Sequence, residues 1–201
     1  MKNKCNSTDN LMKRIMRAMA VMVLALSLSV SAVMLAGCTE SGAETQVRTD
    51  LESMRTLDLD QEVTEELTGM LDKEGRSNYY EFIRKAGEYN YKILETIDNK
   101  DGTTTVAVRI TSYSFGKAYL DAWSDFLEEN PDGDFDPADF YTELMEHLSE
   151  VQGKEYVTDV DIICTEDDES GEWTTDAASN YELRNAMLGG MLREIASLAE
   201  M

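Results

Sequence analysis

The hydrophobic positions of the first forty residues form one uncharged block. Residues 18–36 contain no charged side chain, and the basic cluster Lys13, Arg14 and Arg17 comes shortly before them. A basic segment followed by an apolar run is typical of an export signal and of a transmembrane helix, with the basic side left in the cytoplasm. The residues after the run decide between the two.

The apolar run ends in Leu35-Ala36-Gly37-Cys38, which resembles the lipobox of bacterial lipoproteins. The resemblance implies that residues 1–37 are a signal peptide and that Cys38 carries fatty chains such as palmitate. The protein would then be lipid-anchored at the cell membrane, on its extracytoplasmic face. An uncleaved signal anchor with an ordinary cysteine at the membrane edge is the alternative. Residues 38–48 are predicted to be the lipidated cysteine and a flexible tether, and residues 49–201 a single domain.

The domain opens with apolar residues at helical spacing. They predict two short helices or one broken helix, ended by Lys73-Glu74-Gly75, and a third helical piece closed by Gly87. The apolar positions are Val47, Leu51, Met54, Leu57, Leu59, Val63, Leu67, Met70 and Leu71, and then Tyr79, Tyr80, Phe82, Ile83 and Ala86.

The pattern then changes to a period of two, which predicts strands with one wet face. A first hairpin is predicted around the turn 98–102, and a second from the segments Tyr156–Thr165 and Gly171–Asp176. The inward positions are Tyr89, Tyr91, Ile93, Val106, Val108 and Ile110 in the first hairpin, and Val160, Ile162 and Cys164 in the second.

Three more helices are predicted, two between the hairpins and one after them. The first has a clean apolar stripe from Phe115 to Leu127, and the second begins at Pro137 with Asp136 as its N-cap. The closing helix is expected to begin at the capping-box spacing of residues 179–182 and to continue unbroken to Leu198.

This order of elements predicts an α+β domain, with an antiparallel sheet of about four or more strands packed against helices and a helical insertion between two hairpins. Gly171-Glu172-Trp173 and Leu188-Gly189-Gly190, together with the alternating valines, resemble motifs of uncharacterised lipoproteins of Gram-positive bacteria. That resemblance covers about residues 47–200. It implies a cone-like domain similar to the nuclear transport factor 2-like, or cystatin-like, fold, and it implies no established activity. The long helical insertion departs from the common cone.

The charge of the chain is strongly acidic. The formal net charge is −22, and removal of residues 1–37, with five basic residues and one acidic residue, leaves 13 basic and 39 acidic side chains, or −26. Such a surface repels phosphate backbones, so nucleic acid is excluded as a partner. Solubility outside the cell explains the charge, and a dedicated cation-binding role is the alternative.

One acidic segment resembles a calcium loop. Asp132, Asp134 and Asp136 alternate, and Glu143 falls at the twelfth position. The sixth position should be glycine but is Pro137, whose fixed φ suits the start of a helix. An acidic loop followed by a helix cap is therefore the prediction, with a calcium site as the alternative, and no other metal site is expected.

Nucleophilic catalysis has few candidate residues. His147 is the only histidine, and Cys164 is the only thiol that a lipidated mature chain would keep free. Both occupy apolar positions typical of structural residues. No phosphate loop or dinucleotide motif occurs, and no cofactor is expected. Four aromatic residues near the first hairpin and the following helix are candidates for an apolar ligand pocket, with core packing as the alternative: Tyr89, Tyr91, Tyr119 and Trp123.

These observations predict a lipid-anchored extracytoplasmic protein whose domain binds an unknown protein or small ligand. They favour a binding module over an enzyme. A cone-fold enzyme that uses a pocket carboxylate is one alternative, and a structural component of the envelope is another.

Overall fold

The computed structural model describes residues 41–56, 61–131 and 136–199. The predicted signal peptide, with lipobox residues Leu35, Ala36 and Gly37, and Cys38 lie outside them. The helices of the described part are α1 (Gly42–Ser53), α2 (Gln61–Met70), α3 (Lys73–Ala86), α4 (Phe115–Glu129), α5 (Pro137–Glu150), α6 (Tyr181–Met187) and α7 (Met191–Ala199), and its strands are β1 (Asn90–Asp98), β2 (Thr103–Ser112), β3 (Tyr156–Glu166) and β4 (Trp173–Thr175).

The four strands form one antiparallel sheet in the order β1-β2-β3-β4. Val108 lies in the middle of the sheet, where it pairs with Ile93 on one side and Val160 on the other. Helices α4 and α5 form the insertion between the two hairpins. The predicted α+β class, with helices packed against an antiparallel sheet, is confirmed.

Strand β1 is an edge strand with one irregularity. Ile93 pairs with Val108 and Glu95 pairs with Ala107, so Leu94 is an extra residue, a β-bulge. Within the described residues β1 pairs with β2 alone. No other described strand therefore pairs with its outer side.

One face of the sheet packs against α1 and α6, and we call this unit the sheet lobe. Its core is apolar and closed, because the inward side chains of the strands meet those of the two helices. On the opposite face, no helix of the described residues packs, and Ile97 and Ile163 there are 46% and 38% exposed. The buried members of the core are Ala43, Val47, Leu51, Met54, Tyr89, Val106, Val108, Ile110, Val160, Ile162, Cys164, Ala177, Leu183, Ala186 and Met187.

Helices α2, α3, α4, α5 and α7 form a second unit, which we call the helical lobe. Phe140 is fully buried in it and meets the rings of Trp123 and Phe126 edge-on, with 5.2 Å between ring centroids in each pair. Lys85 joins α3 to the end of α5, because its Nζ donates hydrogen bonds to the carbonyl oxygens of Ser149 and Val151. The core of this lobe contains none of the residues of the sheet-lobe core.

The two lobes meet where β2 leads into α4 and α6 leads into α7. The amide of Gly116 donates to the carbonyl oxygen of Gly189 at 3.0 Å, and the hydroxyl of Ser112 donates to Ala186. Gly189 has φ 56°, and a Cβ there would overlap the carbonyl oxygen of Tyr113. The contact therefore needs glycine for both the conformation and the space.

Three sequence predictions need correction at this level. The predicted tether, residues 38–48, is too long, because α1 begins at Gly42 and buries Ala43 and Val47. Lys73-Glu74-Gly75 begins a helix instead of ending one, since the side chain of Asp72 accepts a hydrogen bond from the amide of Gly75.

The third correction concerns the closing helix, which is two helices. Gly189 and Gly190 both have positive φ and interrupt the helix between α6 and α7. Asn180 is the N-cap of α6, where its side chain accepts from the amide of Leu183. The Leu188-Gly189-Gly190 segment is therefore the junction between the lobes.

Candidate functional site

The helical lobe carries an open groove of about 860 Å³ between α4 and α5. Most of its lining side chains are acidic. The lining residues are Met70, Asp72, Asp125, Glu128, Glu129, Ala138, Asp139, Thr142, Glu143, Glu146 and His147.

Helical spacing explains why the acids converge. Asp125, Glu128 and Glu129 stand three and four residues apart, so they share one face of α4. On α5, Asp139 and Glu143 are four residues apart and likewise share a face. The opposite side of each helix supplies buried residues to the lobe core, so folding of the lobe turns the two acidic faces toward one groove.

The charges in the groove act on one another. Burial raises the pKa of Glu143, and the nearby Glu129 carboxylate raises it further, whereas His147 lowers it. Nε2 of His147 lies 3.6 Å from Oδ2 of Asp125. The described lining contains seven carboxylates, one imidazole and no lysine or arginine. Such a groove attracts cations and repels anions.

The predicted calcium-loop residues separate into two groups. Asp132 and Asp134 lie outside the described residues. Asp136 caps α5, where its Oδ1 accepts from the amide of Ala138 at 3.0 Å, and Glu143 lines the groove two turns later. The helix-cap prediction is confirmed. Among residues 41–56, 61–131 and 136–199, no group of three or more acidic, histidine or cysteine side chains is arranged to hold a metal ion.

The four candidate pocket aromatics lie in two different lobes. Tyr89 is fully buried in the sheet lobe, where its hydroxyl donates to the carbonyl of Leu51, and Tyr91 packs at the edge of the same core. Tyr119 is buried in the helical lobe, and burial raises its pKa to about 12. Trp123 packs against that second core. The four side chains therefore do not surround one cavity, and Tyr89 and Tyr119 are core residues.

Cys164 and His147 are also separated. Cys164 is fully buried in the sheet-lobe core, and burial together with Asp176 and Asp50 raises its pKa to about 12. His147 lines the groove of the helical lobe. A thiol held in its neutral form and distant from the imidazole is a structural residue.

The sequence did not single out the groove acids, apart from Glu143. Glu128 and Glu129 look like members of a solvated helix face when each helix is considered alone. The available signal was the spacing of acids on two consecutive helices, 125, 128 and 129 on one and 139, 143 and 146 on the next.

In the part of the chain that the structure describes, no helix has the length and hydrophobicity needed to cross a membrane. Comparisons with protein-family models, with curated proteins and with solved structures found no match to this chain.

Proposed function

We propose that this chain is a lipid-anchored extracytoplasmic lipoprotein whose domain binds a positively charged group of a protein or small ligand in the acidic groove. The observation that supports the binding role is the set of seven carboxylates around a groove whose described lining has no basic side chain except one histidine. The lipobox-like Leu35-Ala36-Gly37-Cys38 supports the anchor.

The electrostatics of the groove favour a cation over any other ligand class. A unit positive charge about 4 Å from one carboxylate gains about 1 kcal/mol in water and about 4 kcal/mol near a protein surface. Several carboxylates on two facing helices add to this gain, and a bound cation would reduce the repulsion that helps raise the pKa of Glu143. Met70 and Ala138 add a small apolar part to the lining.

Catalysis has less support than binding. A cone-fold enzyme would place a buried carboxylate in an open pocket. The carboxylate of Asp50 is buried, but it accepts hydrogen bonds from Thr175 and Gln46 within the sheet lobe and is not among the groove residues. The inner face of the sheet is filled by side chains of α1 and α6. A sheet face filled in this way favours a binding module over a pocket enzyme.

The lipid anchor is tested by Cys38→Ala in the full chain, expressed in a bacterium that is fed a labelled fatty acid. We expect the variant to lose the label and to accumulate as a longer precursor, because the lipid-bearing thiol is gone. A matched Cys5→Ala variant should be labelled and processed like the wild type. Lipid label on the Cys38→Ala protein would refute the anchor.

The groove is tested by calorimetric titration with a tetralysine peptide at low salt. Glu129→Gln with Glu143→Gln removes two groove charges, and Asp168→Asn with Glu169→Gln removes two exposed acids from the β3–β4 turn. We expect the groove pair to weaken binding at least tenfold and the turn pair to have little effect. Equal losses in both variants would show that the peptide responds to net charge alone, and the groove proposal would be wrong.

A further inference from the structure

The distance between the proposed lipid site and the folded domain is short. Three Cα–Cα steps of about 3.8 Å connect Cys38 to Ser41, so these two Cα atoms lie within about 11 Å of each other in any conformation. Ser41 is already part of the fold, because its side chain caps α1 by accepting from the amide of Glu44. The anchor therefore holds one defined point of the domain close to the bilayer.

The start of α1 is firmly attached to the sheet lobe. Gly42 packs so closely on Trp173 that a Cβ at Gly42 would overlap the indole ring. The hydroxyl of Thr96 donates to Glu44 at 2.6 Å, and Ala43 is fully buried. Any movement of the tether is therefore transmitted to the whole sheet lobe.

The same end of the sheet lobe carries two turns. Thr96 lies close to the 98–102 turn of the first hairpin, and Thr103 pairs with Thr165, which places the β3–β4 turn, residues 167–172, beside it. We call this the tether end. Its exposed acids are Asp98, Asp101, Glu166, Asp167, Asp168, Glu169 and Glu172.

The helical lobe lies at the other end of the strands. Asn90 pairs with Thr111 where β1 begins and β2 ends, and α3 arrives and α4 leaves at that point. The groove is lined at the helix ends that are furthest along the chain from this junction, by Asp72 at the start of α3 and Glu129 at the end of α4. Ten residues of β2 span about 33 Å, which separates the tether end from this junction, and the fourteen residues of α3 span about 21 Å, so the groove is at most about 54 Å from the tether end.

We propose that the tether end faces the bilayer and that the groove opens at the far end of the domain, so that its ligand arrives from outside the membrane and is not a bilayer lipid. This inference depends on the proposed anchor at Cys38. The short link supports this orientation, because it keeps the tether end close to the bilayer while the helical lobe lies at the opposite end of the strands.

The two tryptophans of the chain provide the measurement, since one lies at each end. Trp173 packs on Gly42 at the tether end, and Trp123 packs in the helical lobe. The full chain is expressed in a bacterium, extracted and reconstituted into anionic vesicles that contain a lipid with a dansyl headgroup. Trp123→Phe leaves only the tether-end donor, and Trp173→Phe leaves only the distal donor.

We expect energy transfer to the dansyl lipid to be several times stronger from Trp173 than from Trp123. Twenty Gly and Ser residues inserted after Glu40 serve as the control, and they should reduce the difference because such a linker reaches roughly 25 Å. Equal transfer from the two donors, or stronger transfer from Trp123, would overturn the orientation.

The anchor and the orientation can fail separately. Mass spectrometry of the purified chain shows whether Cys38 carries lipid, which tests the proposed function. If it does not, the same two variants with Cys5→Ser are coupled through Cys38 to a maleimide lipid, and the comparison of Trp173 with Trp123 still decides the orientation.

Discussion

Lys85 offers a direct test of how the helical lobe is held together. Its side chain is nearly buried, and its Nζ donates to the carbonyl of Ser149 and, at 2.9 Å, to that of Val151. Nζ also lies 5.7 Å from the centre of the Tyr113 ring. The ammonium group thus satisfies carbonyls at the end of α5 and interacts favourably with the helix dipole there.

Lys85→Met keeps most of the apolar stem and removes the charge. Each hydrogen bond from a charged donor contributes about 1.5–3 kcal/mol, and a carbonyl left without a partner costs about 1–3 kcal/mol, while relief from burying the ammonium offsets part of the loss. We expect the free energy of unfolding to fall by about 2–4 kcal/mol. For a domain of this size the Tm should fall by about 5–15 °C.

Urea unfolding followed by circular dichroism measures the change, with thermal unfolding as a second measurement. Lys117→Met is the matched control, because Lys117 is exposed and pairs with Asp121 one turn away on the same helix. The control should unfold like the wild type. If Lys85→Met also unfolds like the wild type, the carbonyls of α5 do not depend on Lys85 and the reasoning is wrong.

Two further predictions concern the buried groups of the sheet lobe. With its pKa raised to about 12, Cys164 is about one part in ten thousand thiolate at pH 8. Iodoacetamide should therefore modify Cys164 when the protein is unfolded in urea but not when it is native. Rapid labelling of Cys164 in the native protein, detected by mass spectrometry, would contradict this. Burial raises the pKa of Asp50, so the folded domain binds the carboxyl proton more tightly than the unfolded chain does. The stability of the fold is therefore lost as the pH rises from the ordinary aspartate pKa of about 3.9 through the raised pKa. Asp50→Asn should therefore be more stable than the wild type at pH 7 and should lose this advantage toward pH 4 in urea titrations; an advantage that does not depend on pH would contradict the assignment.

The sequence predicted the elements whose signals are local. The alternation around Val106 and Val108 placed the first hairpin, and Asp136 and Pro137 placed the start of α5. The break between α6 and α7 was missed because a helical stripe continues from Met187 to Met191 across two glycines. Gly189 is required by the approach of the Tyr113 carbonyl, and a Cβ at Gly190 would meet the ring of Tyr156; no local pattern reports either contact.

The acidic groove was harder to predict from the sequence, because it also depends on how separate elements pack against each other. Periodicity places Glu129 and Glu143 on the polar faces of their own helices, but it does not show that the two faces line one groove. The aromatic candidates failed as a single set because Tyr89 and Tyr119 pack into separate cores. The length of the tether was overestimated because Thr39 to Arg48 is small and polar in composition, whereas Ala43 and Val47 are buried by contacts with distant strands.

The bulge at Leu94 limits how the edge strand β1 can pair with neighbouring molecules where the protein is crowded. An unpaired strand can recruit the edge of a neighbouring molecule, and sheets that join in this way grow into aggregates. The extra residue interrupts the regular spacing of the outward amides and carbonyls of β1, and Lys92 places a charge two residues before it. A neighbouring copy could therefore match only short stretches of this edge, which protects the molecule against polymerisation at high local density.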